Sequence, residues 1–296
     1  MRFICGGYNM KLFKHYIIII TTSFVWFSFV GDDKPKNDLA AMGLKENIKT
    51  VTTFTSRFEI NTEPDDTQTV FHENKEVQRF DNNGNLIDKK EYDIENRLIK
   101  KWIYDYDSIG KLTKIDIYLG DTILVYTSLN KYNNKGNIIE KEDILMKGYF
   151  SLENKSVRHE FYMYDDNGNK YQDSIISSEG NYTKIITKYN PIGNPVEYLV
   201  YNTDKGIPQR AIIKYSGSGD VGEVNSYNLD SLEAQIIYKY NDNKSIIQEG
   251  RYLSNGIIDY EFTYKYTYDD KKNWINKTEL KNNVVKKFTE REIKYY

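Results

Sequence analysis

An aromatic-led corner that returns about every 25 positions sets the tightest limit on how this chain can fold. It reads FDNNGNLI from Phe80, YDIENRLI from Tyr92, YDSIGKLT from Tyr106, YNNKGNII from Tyr132 and YDDNGNKY from Tyr164. The series continues as YNPIGNPV from Tyr189, YSGSGDVG from Tyr215, YNDNKSII from Tyr240 and YDDKKNWI from Tyr268. From Tyr164 onward the leaders are 25, 26, 25 and 28 residues apart, whereas Phe80, Tyr92 and Tyr106 follow one another at 12 and 14. A unit of two strands, with the short steps as half units, accounts for both spacings.

The corner residues explain the reversal. An Asp or Asn after the aromatic caps a turn through its side chain, and Gly followed by Asn offers the positive-φ positions that a tight hairpin needs. Less regular reversals, LGD at Leu119, NTDKG at Asn202, NLD at Asn228 and LSNG at Leu253, lie between them. Together they divide residues 48–296 into roughly eighteen short strands. Period-two alternation is clearest where Tyr260, Phe262, Tyr264, Tyr266 and Tyr268 share one face and Glu261, Thr263, Lys265 and Thr267 the other. Such tyrosine columns would lock neighbouring strands by cross-strand aromatic pairs, each contributing roughly 0.2–1 kcal/mol. A flat open sheet of so many strands is unfavourable. The expected fold is therefore all-β, an antiparallel β-meander of successive hairpins forming a strongly twisted, spiral or shell-like repeat sheet.

Three segments are distinguished: an N-terminal signal or anchor at 1–30, a linker at 31–47 and the β-repeat domain at 48–296. From Met10, which makes a better start than Met1, the chain runs MKLFKHY, IIIITTSFVWFSFV and then the polar GDDKPKND. A short basic region, an apolar region and an abrupt polar exit form the layout of an export signal. The uncharged run from Tyr16 to Gly31 is 16 residues, short of the roughly 18–20 that a membrane-spanning helix needs. Phe29 stands where a cleavage site prefers a small residue, and no cysteine near residues 28–31 offers a point for lipid attachment.

Charge and cysteine content exclude several functions. The net charge is −2, and without Arg2, Lys11 and Lys14 the remaining chain has 38 basic against 43 acidic residues. Neither a basic patch nor a single-sign run points to nucleic acid. Cys5 lies upstream of the apolar segment, so the repeat domain contains no disulfide, thiolate metal site or cysteine nucleophile.

Motif chemistry gives no catalytic or metal site, and no cofactor is expected. His72 and His159 are far apart with unrelated neighbours. Asp165/Asn167/Asn169 and Asp81/Asn83/Asn85 alternate oxygen ligands like a calcium loop. They lack its sixth-position glycine, where Lys170 and Leu86 stand, and its twelfth-position Glu, where Ile176 and Tyr92 stand. Turn formation explains them. Pairs such as Glu140/Glu142 and Glu290/Glu292 share a strand face, as glycosidase carboxylates do across a cleft, and read as solvated sheet surface. The glycine-rich stretch from Gly217 to Gly222 belongs to a hairpin corner and lacks the helix that a phosphate cradle requires. Trp102, Trp274 and the tyrosine columns could offer a sugar a flat aromatic face.

The YD-x-x-GN corners followed by aliphatics resemble the YD repeats of the Rhs family, and YDDKKNWINKTEL with EREIKYY is similar to small exported YD-repeat proteins of Bacteroidetes. The resemblance spans about residues 45–296. In large Rhs proteins such repeats form a hollow β-shell around a toxic C-terminal segment. Here the repeats are few and Tyr296 still lies within them, so no such cargo is expected. The small relatives resemble lipoproteins with a cysteine after the signal, where this chain has Phe29, Val30 and Gly31. The expectation is an exported, non-enzymatic protein acting as a scaffold or binding surface in the periplasm, outer envelope or extracellular space. A glycan or an envelope protein is the expected class of partner, and membrane contact is expected only through the N-terminal segment. A carbohydrate-binding module using exposed Tyr and Trp, and a hydrolase of envelope polysaccharide, are the alternatives.

Overall fold

The computed structural model describes residues 37–60, 68–146, 156–203 and 205–296. The export-signal reading of residues 1–30 lies outside them. The described residues form one short helix, α1 (Asp38–Ala41), and eighteen strands. The strands are β1 (Ile48–Ile60), β2 (Gln68–Phe80), β3 (Leu86–Tyr92), β4 (Leu98–Tyr106), β5 (Leu112–Leu119), β6 (Ile123–Tyr132), β7 (Ile138–Leu145), β8 (Ser156–Tyr164) and β9 (Lys170–Ser177). They continue as β10 (Tyr182–Tyr189), β11 (Pro195–Asn202), β12 (Lys205–Tyr215), β13 (Val221–Asn228), β14 (Ser231–Tyr240), β15 (Ile246–Leu253), β16 (Ile258–Tyr268), β17 (Trp274–Lys281) and β18 (Val284–Tyr295).

Each strand pairs antiparallel with its neighbours in sequence, so the meander is as expected. Its outline is not the open spiral or shell-like sheet. Strand β18 returns to β1 and pairs with it antiparallel, Ile48 opposite Tyr295 and Thr50–Arg57 opposite Lys294–Lys287, closing a barrel. Closure gives both end strands a partner and so removes the exposed edges that an open sheet would present. An even strand number makes the last strand run opposite to the first, as the seam requires. Eighteen strands at about 4.8 Å spacing enclose, as a circle, a section at least about 27 Å across, and barrels of this size leave an open lumen.

The corners work through one positive-φ residue each. In the first, Asp81 Oδ1 accepts the backbone N–H groups of Asn83 and Asn85, both at 2.9 Å, while Gly84 takes φ +82°. Asn96, Lys244 and Lys272 adopt the same left-handed conformation at the equivalent place in their corners. The asparagine after the glycine is not a second positive-φ residue. Instead the side-chain amides of Asn85 and Asn169 donate to Asp81 and Asp165 at 3.0 Å. Every aromatic-led corner also has a bulge that skips the second residue of the outgoing strand, as at Ile87 between the pairs Phe80/Leu86 and Arg79/Asp88. The eight others behave alike. Such bulges add local twist, and repeated in every hairpin they curve the sheet toward closure.

Eight of the nine corners lie on the rim where α1 sits, since the strands alternate in direction. Tyr92 leads the ninth at the opposite rim, which explains the half-unit spacings around it. On the α1 rim the tyrosine hydroxyls form a belt. Tyr106, Tyr132, Tyr164, Tyr189, Tyr215, Tyr240 and Tyr266 donate, or lie within donating distance, to the carbonyls of Leu86, Leu112, Ile138, Lys170, Pro195, Val221 and Ile246, at 2.7–3.0 Å. Each acceptor is the first strand residue after the preceding corner, so every tyrosine clasps its hairpin to the one before. Six leaders act through their hydroxyls in this way, while on β16 Tyr266 takes the place and the leader Tyr268 donates to Ser245 Oγ at 2.9 Å. Stacking on β16 runs along the strand, Tyr260 with Phe262 and Phe262 with Tyr264 at ring separations of 5.4 and 6.5 Å.

Residues 37–47, in the span read as a linker, fold into the lumen mouth. Leu39 and Leu44 are buried with Ile48, Val51, Phe80 and Leu86, packed against by Tyr104, Ile293 and Tyr295. Asp38 Oδ2 accepts the Tyr106 hydroxyl at 2.6 Å and the Leu86 N–H at 2.7 Å. Gly84 has no room for a side chain, because Asn37 packs on it and donates to the Asn83 carbonyl at 2.5 Å. One short segment reaches strands on both sides of the seam only from the concave face. The tyrosine-bearing face is therefore the inner wall.

Candidate functional site

The inner wall has three sectors of differing chemistry. On β7–β9 charges are matched: Asp143 meets Arg158 at 2.9 Å and Lys141 at 3.2 Å, Arg158 also meets Glu160, and Lys170 meets Asp173 at 3.0 Å. Burial pushes the Asp143 carboxyl up, but the Tyr126 hydroxyl, Lys141, Ser128 and Arg158 outweigh it and hold the group below its usual value. On β10–β14 the wall is apolar, with Ile185, Val200, Ala211, Ile213, Val224 and Ile236 buried in one cluster.

The third sector, on β14–β18, is the candidate site. A cavity of about 740 Å³ lies between the segment Ala40–Lys45 and the inward side chains of these strands. Alternation from the tyrosine leaders puts Glu249 of β15, Lys277 of β17 and Arg291 of β18 on the same inward face as Tyr264 and Tyr266 of β16. Among the described residues neither Lys277 nor Arg291 makes an ion pair. Lys277 lies over the Tyr264 ring at 4.3 Å and Arg291 over the Trp274 ring at 3.3 Å, and Arg291 Nε is buried without an acceptor. Burial lowers the pKa of Lys277 and brings that of Arg291 down to about 10. Burial raises that of Glu249, against hydrogen bonds donated by Tyr260 at 2.9 Å and Tyr264 at 3.5 Å. The Tyr238 hydroxyl, on a residue only 5% exposed, has no hydrogen-bond partner among the described residues. Five basic residues, Lys45, Lys244, Lys272, Lys277 and Arg291, line the cavity against Asp220, Asp242 and Glu249.

A second cavity of about 640 Å³ lies further along the same strands. It is lined by Arg57, Phe58, Phe262, Glu279, Lys281, Lys286 and Lys287. Tyr264 and Lys277 of the first cavity are two residues along β16 and β17 from Phe262 and Glu279 of the second. This side of the lumen is basic at both ends.

The outer wall differs. Its charges sit directly opposite one another on neighbouring strands: Lys188 with Glu197 at 2.7 Å, Lys214 with Glu223 at 2.6 Å, Lys131 with Glu140 at 2.8 Å, and Arg79 with Asp88. Arg210 joins Glu197 from the far side at 2.6 Å. A wall facing lipid carries an apolar band, and each Lys or Arg at the bilayer midplane costs about 2–4 kcal/mol. The same wall also exposes Phe161, Met163, Ile176 and Tyr201, so it is mixed, with paired charges set among apolar side chains. Among the described residues no helix is long and apolar enough to cross a membrane.

The residues considered from sequence fall elsewhere. His159 is on the outer wall, Nδ1 3.5 Å from Glu140 and its ring stacked on Phe161 at 6.0 Å. The backbone of His72 lies in β2. The Asp81 and Asp165 carboxylates accept from their own turns. Glu140/Glu142 and Glu290/Glu292 face outward by strand register. Gly217–Gly222 spans the β12–β13 corner. Trp102 and Trp274 do face inward, Trp102 beneath Lys89 at 4.8 Å and Lys100 at 5.7 Å. Sequence reasoning passed over Glu249, Lys277 and Arg291. Their signal was parity: in register they fall on the tyrosine-bearing face, where a charge is unexpected.

No family model matches the chain, and no curated protein matches it. Among solved structures it is similar to a porin-like protein from Bacteroides uniformis, at 12% identity and a TM-score of 0.43 over 83% of this chain and 96% of that one. A porin-like protein from Bacteroides vulgatus gives 13% identity and a TM-score of 0.39 over 85% and 99%. The Photorhabdus luminescens Tc holotoxin pore gives 13% and 0.32 over 74% of this chain and 13% of that chain. Likenesses this loose carry no argument about function, and the resemblance to YD repeats rests on the corner residues.

Proposed function

We propose that this chain is an exported, non-enzymatic binding barrel of the cell envelope, facing water on its outside and holding its ligand in the lumen. The observation that carries the reading is a contrast in charge pairing: charges on the outer wall and on the inner β7–β9 sector are paired, while among the described residues Lys277 and Arg291 face the cavity without an ion pair. The signal-like run from Met10 to Gly31 supports export. The inner aromatic wall favours binding within the barrel over a purely structural role.

Fractionation of the native host with alkaline carbonate washing and intact-mass measurement tests this. The expected result is a protein outside the cytoplasm that carbonate releases without detergent. Recovery in the cytoplasm, or only in detergent-extracted membranes, would contradict it.

A further inference from the structure

We infer that the lumen along β16–β17 binds an acidic saccharide, its carboxylates taken by Lys277 and Arg291 and its rings lying against the aromatic wall. The inference rests on the lumen being the binding site and adds the class of ligand. Three features point the same way. First, Lys277 and Arg291 are largely covered yet rest on the rings of Tyr264 and Trp274 and make no ion pair among the described residues, Glu279 and Glu249 acting on Lys277 and Glu76 on Arg291 only from beyond contact distance. A buried cation is normally paired, and an incoming carboxylate would supply the missing partner with charge-assisted hydrogen bonds. Second, the buried Tyr238 hydroxyl and Arg291 Nε lack hydrogen-bond partners among the described residues, and both residues line this cavity. A polyhydroxylated ligand can serve a hydroxyl and a guanidinium together. Third, the basic lining continues along the strands into the cavity with Lys281, Lys286 and Lys287, in a chain of net charge −2. An extended, repeating anion fits that layout better than one small ion.

The aromatic residues favour a ring-bearing ligand over a simple carboxylate. Phe262, Tyr264, Tyr266 and Tyr268 follow at every second position of β16, all facing inward. Their reach is about 20 Å at the usual rise per residue. Both cavities fall within the volume range of sites that bury most of a small ligand.

The test uses the full chain, titrated by calorimetry and tryptophan fluorescence with tetragalacturonate and with its methyl ester. The ester keeps the rings and hydroxyls and removes the negative charge. The acid is expected to bind and to change the emission of Trp274, with the ester at least about tenfold weaker. Lys277→Met and Arg291→Met should each weaken the acid by about tenfold while leaving the far-ultraviolet dichroism unchanged. The inference is overturned if the ester binds as tightly as the acid, if both variants bind like the parent, or if the acid fails to bind at millimolar concentration. Preferential binding of a single-stranded oligothymidylate would overturn it too. Each failure leaves the carbonate-release result standing, so the broader reading can survive the loss of this one.

Discussion

Two charged sectors of one inner wall, β7–β9 and β15–β18, use the same residue types and resolve them in opposite ways. In the first, Arg158 bridges Asp143 and Glu160, and Lys141 and Lys170 complete a network in which every carboxylate meets a cation. In the second, Glu249 accepts only tyrosine hydroxyls and the two cations lie on rings. Because the tyrosine belt runs through both sectors, the backbone scaffold is shared and the difference lies in side-chain chemistry. A barrel that needed only to stand would have little reason to leave one charged sector unmatched. The unmatched sector is where a ligand completes the structure.

Substitutions can break that comparison. Arg158→Met should have the largest effect, leaving Asp143 and Glu160 short of a cation. Removing one partner of a fully buried pair costs about 3–5 kcal/mol, and because the Arg158 side chain is 39% exposed we expect about 2 kcal/mol. Chemical denaturation measures it. A loss no greater than that of Arg291→Met would remove the distinction between sectors.

Next come Tyr164→Phe and Tyr266→Phe, each deleting one clasp of the belt in its own sector. Both should cost about 1 kcal/mol, the usual worth of a hydrogen bond to a covered carbonyl. Equal costs in the two sectors would sharpen the view that the scaffold is common. Arg291→Met is expected to change stability by less than about 1 kcal/mol, since the lost stacking on Trp274 is offset by relief of an unpaired buried charge.

The smallest effect is a matter of pH. Burial raises the folded-state pKa of Glu249 above its ordinary 4.5. Its contribution to stability is therefore fully present below about that pH and is lost as pH rises through the raised value. Glu249→Gln should match the parent in thermal melts in acid and become the more stable of the two toward neutrality. A parent that gains on the variant as pH rises would reverse the sign and contradict the assignment.

The sequence made the strands legible because their corners are local. Asp81, Gly84 and their equivalents specify each reversal within a few residues, so the count and the meander could be read. Closure could not, because it depends on β1 meeting β18, two strands some 240 positions apart in sequence that no single turn joins. The bulges at Ile87 and its equivalents, which curve the sheet, have no residue signature, since Thr113, Tyr171 and Gly222 take the same place in other corners. The site was hidden for a related reason: Glu249, Lys277 and Arg291 come from three strands, and each alone looks like an ordinary surface charge. The tyrosines were noticed as columns of rings, but the distance from Tyr132 Oη to the Leu112 carbonyl shows a role that composition could not reveal.

The central claim is that the barrel is closed, and the seam between β1 and β18 tests it most directly. Thr52 and Glu292 are direct partners there, on the outer wall, and directly paired Cα atoms of antiparallel strands lie about 4.5–5.5 Å apart, within reach of a disulfide. In a chain carrying Cys5→Ser, Thr52→Cys and Glu292→Cys, mild oxidation should give a near-complete intramolecular disulfide, seen by intact mass and gel mobility. The pair Lys214→Cys/Glu223→Cys within one hairpin serves as the control. If the control closes and the seam pair remains reduced or links only between molecules, the sheet is open and the account of the lumen falls with it.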